Sequence, residues 1–390
     1  MRKIVHIMLT GPVTDGWNYQ DNLLTKYHKK LGYEVTIITS QWIWGNQGKL
    51  EKFEKTDYLN NDGIKTIRLP IKRGDNFLRK LKRYNNLKEV INSEKADIIF
   101  VHNVAFLDVS KVVAYLKKNA NVRVFVDNHS DYSNSATSWI SKNVLHKILW
   151  RRMAQKLVPF TEKFYGVLPA RVKFLTDIYK TPKEKTELLV MGADDEEVIE
   201  AEKLENINWI RQKYGIEQSD FLIMTGGKID KAKSQTLLLM EAVKKIDDKN
   251  IKLIVFGSVE DSLKERVMNL VDGIKIQYIG WIDSPDSYKY FAAADLVVFP
   301  GRHSVFWEQV VGQGIPMICK YWEGTTHVDL GGNVKFLYQD TVEEIYKSII
   351  ALLVDNKAEY SIVKSIALKQ KNIFSYSKIA EKSLNIVRSR

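Results

Sequence analysis

Short apolar runs alternate with helix-type patterns along the first half of the chain. The runs predict strands, and apolar residues spaced three and four apart predict the helices between them. The predicted strands are 3–9, 34–39, 64–69, 97–102 and 122–127, and the predicted helices are 18–31, 76–93 and 108–118. Alternation of this kind indicates parallel strands joined by crossover helices, so the fold class is α/β.

The same alternation starts again after an acidic stretch at 187–206. The second set of predicted strands is 221–225, 251–256, 274–279, 296–299 and 317–320. A boundary near residue 190 divides the 390 residues into two domains of ordinary size, each large enough for its own core.

The composition indicates a globular protein and argues against disulfide and metal sites. A hydrophobic content of 45% and a charged content of 27% are typical of a globular protein. Cys319 is the single cysteine, which excludes an intramolecular disulfide and a cysteine metal cluster. The seven histidines show no ligand-like pair at close spacing, so no metal is expected. The chain start reads as a strand rather than an export signal, and no stretch approaches the ~18 apolar residues of a membrane span, so a cytoplasmic location is expected.

The excess positive charge lies in the first half. Residues 1–190 carry 33 Lys and Arg against 18 Asp and Glu, whereas residues 191–390 carry 26 against 29. A basic half of this kind can bind an anionic membrane or a phosphorylated substrate. A solvated lysine-rich surface explains the charge equally well. The segments 72–86 and 135–158 combine apolar and basic residues, and both a membrane-surface helix and a core-packing helix with basic flanks stay open. No recognition motif for nucleic acid accompanies the charge, so that partner is not expected.

Polar residues follow the predicted strands of the first half, where ligands of doubly wound sheets bind. The loop from Gly11 to Gly16 lacks the three-glycine dinucleotide fingerprint, which argues against a redox cofactor. Asp127, His129 and Asp131 cluster after another strand, where a base or an orienting hydrogen bond serves chemistry on a hydroxyl group. A polar turn with a satisfied histidine is the alternative interpretation.

Two loops of the second half predict a phosphate site. Lys228 and Lys233 flank a loop opened by Gly226 and Gly227, ahead of a helix near 234. Two ammonium groups beside a helix start suit a diphosphate, although loop lysines are also often only solvated.

The second of these loops lies within 295–316, which reads DLVVFPGRHSVFWEQVVGQGIP. This is a buried strand, a tight loop and a helix with Ser304 as its N-cap. We expect His303, Ser304 and the first helix amides to bind an anion.

These motifs resemble those of family 4 glycosyltransferases. The resemblance rests on TGGK followed by Lys233, on YIGW, AAADLVVFP and GQGIP, and on the glycine-containing first loop; it covers essentially the whole chain and is strongest over 221–320. It implies the GT-B fold, with two Rossmann-like doubly wound domains facing each other across a cleft. Residues 1–190 would bind the acceptor, residues 191–372 would bind the nucleotide-sugar, and a helix at 373–390 would return to the first domain.

The segments DNHSDYSNS, KFYGVLPARV, ELLVMGAD and HSVFWEQVVGQGIP are similar to bacterial enzymes that build capsule or exopolysaccharide. The resemblance implies retaining, metal-independent hexosyl transfer from a nucleotide-sugar to a hydroxyl of a saccharide, with a lipid-linked saccharide as the expected acceptor. The resemblance is also compatible with a peripheral contact between the basic first domain and the inner face of the plasma membrane. A nucleotide-sugar epimerase and a non-catalytic sugar-nucleotide-binding assembly subunit are the alternatives.

The resemblance also assigns site residues. The family's two glutamates, separated by seven residues, fall on Gly301 and Gln309, and Glu308 precedes the latter, so Glu308 or Gln309 is expected at the ribose. His129 is expected to orient donor sugar or acceptor. The expected donor-binding residues are Gly16, Gly227, Lys228, Lys233, His303, Ser304, Val305, Glu308 and Gln309; the acceptor-side residues are Gly16, Asp127, His129 and Asp131; the catalytic residues are His129, Lys228, Lys233 and Glu308.

Overall fold

The chain folds into two compact units. The structure is a computed structural model and describes residues 1–45, 49–72, 81–355 and 357–386. The first unit comprises Met1–Val190 with Ile379–Arg390, and the second comprises Met191–Lys378. The terminal segment that belongs to the first unit therefore begins at Ile379, whereas 373 was predicted.

An eight-stranded sheet forms the centre of the first unit, in the order β10-β9-β8-β7-β1-β2-β6-β5. All its neighbouring strands are parallel except β5 and β6. The strands are β1 Lys3–Met8, β2 Glu34–Ser40, β3 Trp42–Trp44, β4 Leu50–Lys52, β5 Asp57–Leu59, β6 Lys65–Leu69, β7 Ile98–His102, β8 Arg123–Asn128, β9 Lys163–Gly166 and β10 Thr186–Leu188, with β3 and β4 forming a separate hairpin.

Helices cover this sheet and bury the alternating apolar residues of its strands in one large core. They are α1 Gln20–Lys30, α2 Leu87–Glu94, α3 Val109–Leu116, α4 Arg151–Leu157 and α5 Pro169–Phe174. A π-helix, Ser141–Trp150, leads directly into α4. The predicted helix at 76–93 is wrong in its described part before α2, because residues 81–86 form turns and a bridge from Tyr84 to Ile71. Residues 76–80 of that helix, and residues 73–80 of the basic tract at 72–86, lie outside the described residues.

The second unit is built around a six-stranded parallel sheet in the order β13-β12-β11-β14-β15-β16. Its strands are β11 Phe221–Gly226, β12 Ile251–Phe256, β13 Ile276–Tyr278, β14 Leu296–Phe299, β15 Met317–Lys320 and β16 Val334–Leu337. Its helices are α6 Asp195–Ala201, α7 Leu204–Lys213, α8 Gln235–Lys245, α9 Asp261–Met268, α10 Ser287–Ala292, α11 Phe306–Gly312, α12 Val342–Ile350 and α13 Lys357–Gln370; α14, Tyr376–Ser383, runs from this unit into the first.

Each sheet has one place where the strand order reverses. In the first unit the chain passes from β1 to one side and later returns with β7 on the other, and in the second unit β11 and β14 are related in the same way. Ligands of open α/β sheets bind at the carboxyl ends of the strands at such a switch point. Among the described residues, no helix is both long and apolar enough to cross a membrane.

Candidate functional site

The loop after β11 is shaped by glycines and by one aspartate. Gly227 has a φ of +119°, a conformation that L-residues rarely adopt. The Asp230 carboxylate accepts hydrogen bonds from the backbone N–H groups of Ala232 and Lys233, at 3.0 and 3.1 Å, and so fixes the turn before α8. This turn holds the Lys233 side chain in a half-buried position.

The loop after β14 packs against that turn. A Cβ atom placed on Gly301 would lie 3.6 Å from Lys233 Cα and 3.3 Å from Gln235 Oε1, so the two loops lie close to each other. The two loops are neighbours, as expected from the sequence, and the exposed Arg302 that follows Gly301 is a further residue of the site that was not predicted. Its position three residues after β14 was the available signal.

Three cations meet at this switch point. Burial lowers the pKa of Lys233, Asp230 opposes that change, and the charges of Arg302 and Lys228 lower the pKa further. Lys228 lies 3.4 Å from the Asp230 carboxylate and its side chain is 63% exposed. The positive charges near Lys233 therefore outnumber the one carboxylate that acts on it, and an anion bound there would offset them.

The helix after β14 starts later than its sequence predicts. Ser304 is not the N-cap, because α11 begins at Phe306, Val305 occupies the cap position, and no side chain caps the helix. The helical dihedral angles of Val305 explain the difference, since the chain is already wound at that residue. The Ser304 carbonyl accepts a hydrogen bond from the N–H of Trp307 at 3.0 Å.

Glu308 is completely buried between two histidines. Its Oε1 atom lies 2.7 Å from His303 Nε2 and 2.9 Å from His327 Nε2. Burial alone would raise the pKa of the Glu308 carboxyl, but the two imidazoles lower it to about 2. His327 follows β15 and was missed, because only the fold brings it next to His303.

The side chain of Gln309 is also buried in the second unit. It is 3% exposed and its Nε2 donates a hydrogen bond to Ser287 Oγ at 2.8 Å. A ribose contact by Gln309 or by Glu308 would require the side chain to leave these partners. The expected ribose role stays a prediction that this arrangement does not favour.

The predicted acceptor-side residues all lie in the first unit, where Asp127 and His129 contact each other and Asp131 and Gly16 have other neighbours. Asp131 organises its own loop: Oδ1 accepts from the N–H groups of Ser133 and Asn134 at 2.7 and 3.1 Å, and Oδ2 lies 3.1 Å from Arg171 Nε. These bonds occupy both oxygens of the Asp131 carboxylate, and its expected contact with the acceptor stays a prediction. Gly16 has a φ of +77°, and a Cβ there would lie 3.0 Å from Asn61 Nδ2, so local geometry already explains the glycine.

Asp127 and His129 keep the polar environment that the sequence predicted. Asp127 is fully buried, and His129 Nε2 lies 3.3 Å from its Oδ1, with the His129 side chain 31% exposed. Burial would raise the pKa of Asp127, but His102 and His129 outweigh that effect and hold the pKa well below its ordinary value.

Histidines that are widely spaced in the sequence lie close together in the structure. His6, His28, His102 and His129 lie in one group in the first unit, and two further histidines flank Glu308 in the second. These residues are far apart in the sequence, and parallel strands bring their ends to the same edge.

Two family models match the chain. The model described as Glycosyltransferase Family 4 matches residues 22–197, and the model described as Glycosyl transferases group 1 matches residues 220–355. An uncharacterised glycosyltransferase of Methanocaldococcus jannaschii is 22% identical over 218 residues, which is 54% of this chain. The chain spans about half the length of this curated relative, with 55% of it covered.

Solved structures share the whole fold. A glycosyltransferase from Rickettsia africae matches with a TM-score of 0.68 and 16% identity, covering 99% of this chain and 97% of that one. Anabaena HepE, solved with UDP and glucose, matches with a TM-score of 0.64 and 14% identity over 98% of both chains. A putative UDP-N-acetylglucosamine 2-epimerase from Listeria monocytogenes matches with a TM-score of 0.65 and 16% identity, covering 97% and 94%.

At these identities the solved structures establish the fold, and the two family models extend over both units. The chain belongs to the family 4 glycosyltransferases and has the GT-B fold.

Proposed function

We propose that this protein is a glycosyltransferase that moves a sugar from a nucleotide-sugar to a hydroxyl group of a saccharide acceptor. The observation that carries the proposal is the meeting of Lys228, Lys233 and Arg302 at the switch point between β11 and β14. A nucleoside diphosphate is the leaving group of such a reaction, and its two phosphates supply the negative charge that this cluster needs.

The same cations suit catalysis as well as binding. Negative charge grows on the diphosphate as the bond to the sugar breaks, so fixed cations stabilise the transition state more than the ground state. Lys233 is held in place by the turn at Asp230 and by its contact with Gly301, which limits reorganisation during the reaction. We therefore propose that the diphosphate is stabilised without a metal ion bound to it.

The donor class follows from the anion site and from the relatives. HepE of Anabaena was solved with UDP and glucose, which supports a nucleotide-sugar donor for this chain. Retention at the anomeric carbon, a hexosyl donor and a lipid-linked acceptor for capsule or exopolysaccharide are proposals that rest on the family resemblance. On the acceptor side, His129 and Asp127 are the first candidates, because one Asp131 oxygen is bonded within its loop and the other to Arg171 of α5.

A matched pair of lysine variants tests the central assignment. Lys233→Ala is expected to lower turnover at least ~100-fold, the scale of losing one transition-state charge contact. Lys231→Ala removes an exposed lysine two residues earlier and is expected to leave turnover unchanged. Equal turnover in Lys233→Ala and the parent would contradict the diphosphate assignment.

The two alternative functions remain separable by experiment. The missing first glutamate, whose position is taken by Gly301, is the observation that favours a non-catalytic binder. Incubation with nucleotide-sugars, with and without saccharide acceptors, distinguishes the three functions. Transfer requires an acceptor, an epimerase converts donor alone, and a binding subunit leaves every donor intact.

We also propose that the first unit contacts an anionic membrane through the surface of the π-helix and the residues before it. Trp139, Ile140, Val144 and Ile148 are 42% to 73% exposed, and the last three recur every fourth residue. With the basic residues of the same segment, this surface combines apolar insertion with attraction to anionic lipid.

Liposome flotation tests the membrane contact with a matched control. Ile148→Gln is expected to weaken binding to anionic vesicles, whereas Ile199→Gln, at a similarly exposed residue of the acidic helix α6, is expected to have no effect. Equal binding to anionic and neutral vesicles, or equal loss in both variants, would contradict the proposal.

A further inference from the structure

A row of buried side chains in the first unit connects its C-terminal segment to the polar group after β8. His102 Nε2 lies 2.9 Å from His6 Nδ1, His6 Nε2 lies 3.0 Å from His28 Nδ1, and His28 Nε2 lies 2.7 Å from Ser383 Oγ. The three histidines lie on β7, β1 and α1, and all of them are buried. Each imidazole sits between two partners, so the proton positions along the row depend on one another.

The end of the row at Ser383 sets the direction of its hydrogen bonds. Ser383 Oγ donates to the Ala380 carbonyl at 2.8 Å, and the same carbonyl accepts a hydrogen bond from His28. The hydroxyl proton is therefore already used, so His28 Nε2 is a donor. Burial lowers the pKa of both His6 and His28, that of His28 to about 3, and both are neutral. His28 then accepts from His6 at Nδ1, and His6 accepts from His102 Nε2.

At the other end of the row, His102 contacts a carboxylate. His102 Nδ1 lies 2.9 Å from Asp127 Oδ2, and an ionised carboxylate can only accept. His102 therefore donates from Nδ1 as well as from Nε2, and an imidazole with both nitrogens protonated carries a positive charge. Burial would lower the pKa of His102, but the charges of Asp127 and Asp21 outweigh that effect and raise the pKa.

The contacts of Asp127 leave one of its oxygens to His129. Its Oδ2 atom accepts from His102 and from Gln20 Nε2, the latter at 3.3 Å. Its Oδ1 atom lies 3.3 Å from His129 Nε2, and this contact is also a side-chain hydrogen bond. Asp127 is inaccessible to solvent, whereas the His129 side chain is 31% exposed. Of these two residues, only His129 can be reached by an acceptor, so Asp127 acts through it.

We propose that His102 is a positively charged positioning residue, which with Asp127 fixes the orientation and the tautomer of His129. Because the carboxylate only accepts, a neutral His129 carries its proton on Nε2. Its Nδ1 lone pair is then left for the proton of an acceptor hydroxyl group. This role in sugar transfer rests on the proposed function, whereas the charge of His102 follows from the hydrogen bonds alone.

The charge of His102 matters because Asp127 is buried. A buried carboxylate is costly without a nearby cation, and it takes up a proton when none is available. With His102 charged, the two buried charges balance each other, and Asp21, 3.5 Å from His102 Nδ1, adds a second carboxylate at the surface. Without that cation, Asp127 would need a proton of its own or a charge on His129. Either change alters what His129 offers to a hydroxyl group.

Imidazole nitrogen NMR of the full chain tests the proposal without any need for transfer activity. The chain has seven histidines, and single His→Gln variants assign their signals in protein labelled with ¹⁵N-histidine. At pH 7, above the ordinary histidine pKa of 6.5, His102 is expected to have both nitrogens protonated. The neutral form of His129 is expected to carry its proton on Nε2. A neutral His102 at pH 7 would overturn the proposal, because the row would then run in the opposite direction, from Ser383 to Asp127.

Two variants measure the effect on transfer. His102→Gln and Asp127→Asn are each expected to remove the preference of His129 for the Nε2 proton. Each is expected to lower turnover at least ~10-fold, less than the about 10²–10⁴-fold contribution of a proton-transfer group itself. Nucleoside diphosphate affinity is expected to stay the same, because the diphosphate residues lie in the second unit.

His146→Gln is the matched control. His146 is a buried histidine of the same unit and is bonded to Tyr179 at 2.9 Å, outside the row. Its substitution is expected to leave both turnover and the His129 signal unchanged. An unchanged His129 signal in Asp127→Asn, unchanged turnover in Asp127→Asn and His102→Gln, or an equal loss of turnover in His146→Gln would each overturn the proposal.

Thermal unfolding of the three variants identifies a folding defect. If His102→Gln does not fold, the His102 signal of the parent is assigned by elimination, and its protonation still decides the outcome. If the parent transfers no sugar to any acceptor, the proposed function fails. The NMR signals of His102 and His129 then decide the present inference by themselves.

Discussion

Replacing Glu308 by glutamine tests whether a buried carboxylate stabilises the second unit through its two histidines. Glu308 is inaccessible to solvent, and its Oε1 is within hydrogen-bonding distance of His303 and His327. In the folded chain its pKa falls from 4.5 to about 2. A pKa difference of that size is worth about 3 kcal/mol of unfolding free energy.

The sign of the pH dependence follows from the lowered pKa. A carboxyl that ionises more readily in the folded chain contributes its full stability above the unfolded pKa, and the contribution is lost as pH falls from about 4.5 to about 2. Glu308→Gln should therefore cost about 3 kcal/mol at pH 7 and about half of that at pH 3.

Urea unfolding at pH 7 and pH 3 measures both values. Glu343→Gln is the matched control, since it neutralises a carboxylate of the same unit whose side chain is 60% exposed. It should change stability by less than about 1 kcal/mol at either pH, as expected for an exposed ion pair. A Glu308→Gln variant as stable as the parent at pH 7, or a loss of equal size at the two pH values, would refute the reasoning.

Three further predictions concern the loops. Arg302→Gln should weaken nucleoside diphosphate binding at least ~10-fold, the loss expected for one charge-assisted hydrogen bond, whereas Arg266→Gln on exposed α9 should not; equal affinities measured by calorimetry would remove Arg302 from the site. Gly257→Ala should lower both the thermal midpoint and nucleotide affinity, because its Cβ would lie 1.9 Å from the Gly227 carbonyl oxygen and displace the lysine loop; an unchanged midpoint would contradict this. Asp131→Asn should lower the thermal midpoint while nucleotide affinity stays the same, since its bonds to Ser133 and Arg171 lie within the first unit; a change in affinity alone would contradict this prediction.

The sequence predicted the buried parallel strands well. The apolar runs of β12, β14 and β15 have the bounds that their sequences indicate, because a strand buried on both faces is apolar throughout. The short strand β16 and the antiparallel edge strand β5 were missed, since neither carries a continuous apolar run.

The candidate site was predicted in part. Lys233 and the loop around Gly301 were placed together correctly, because both follow strands of one parallel sheet. The pairing of His327 with Glu308 and the bonding of Asp131 to Arg171 could not be predicted from sequence spacing, because the two residues of each pair lie on different elements of the fold. Polar side chains at strand ends indicate where a site lies, but their partners depend on tertiary packing.

A crystal structure of the protein with a bound nucleotide-sugar tests the central claim most directly. Our account predicts that the two phosphates lie within hydrogen-bonding distance of Lys233 Nζ and close to Arg302, beyond the carboxyl ends of β11 and β14. Phosphates bound away from both of these residues would contradict it.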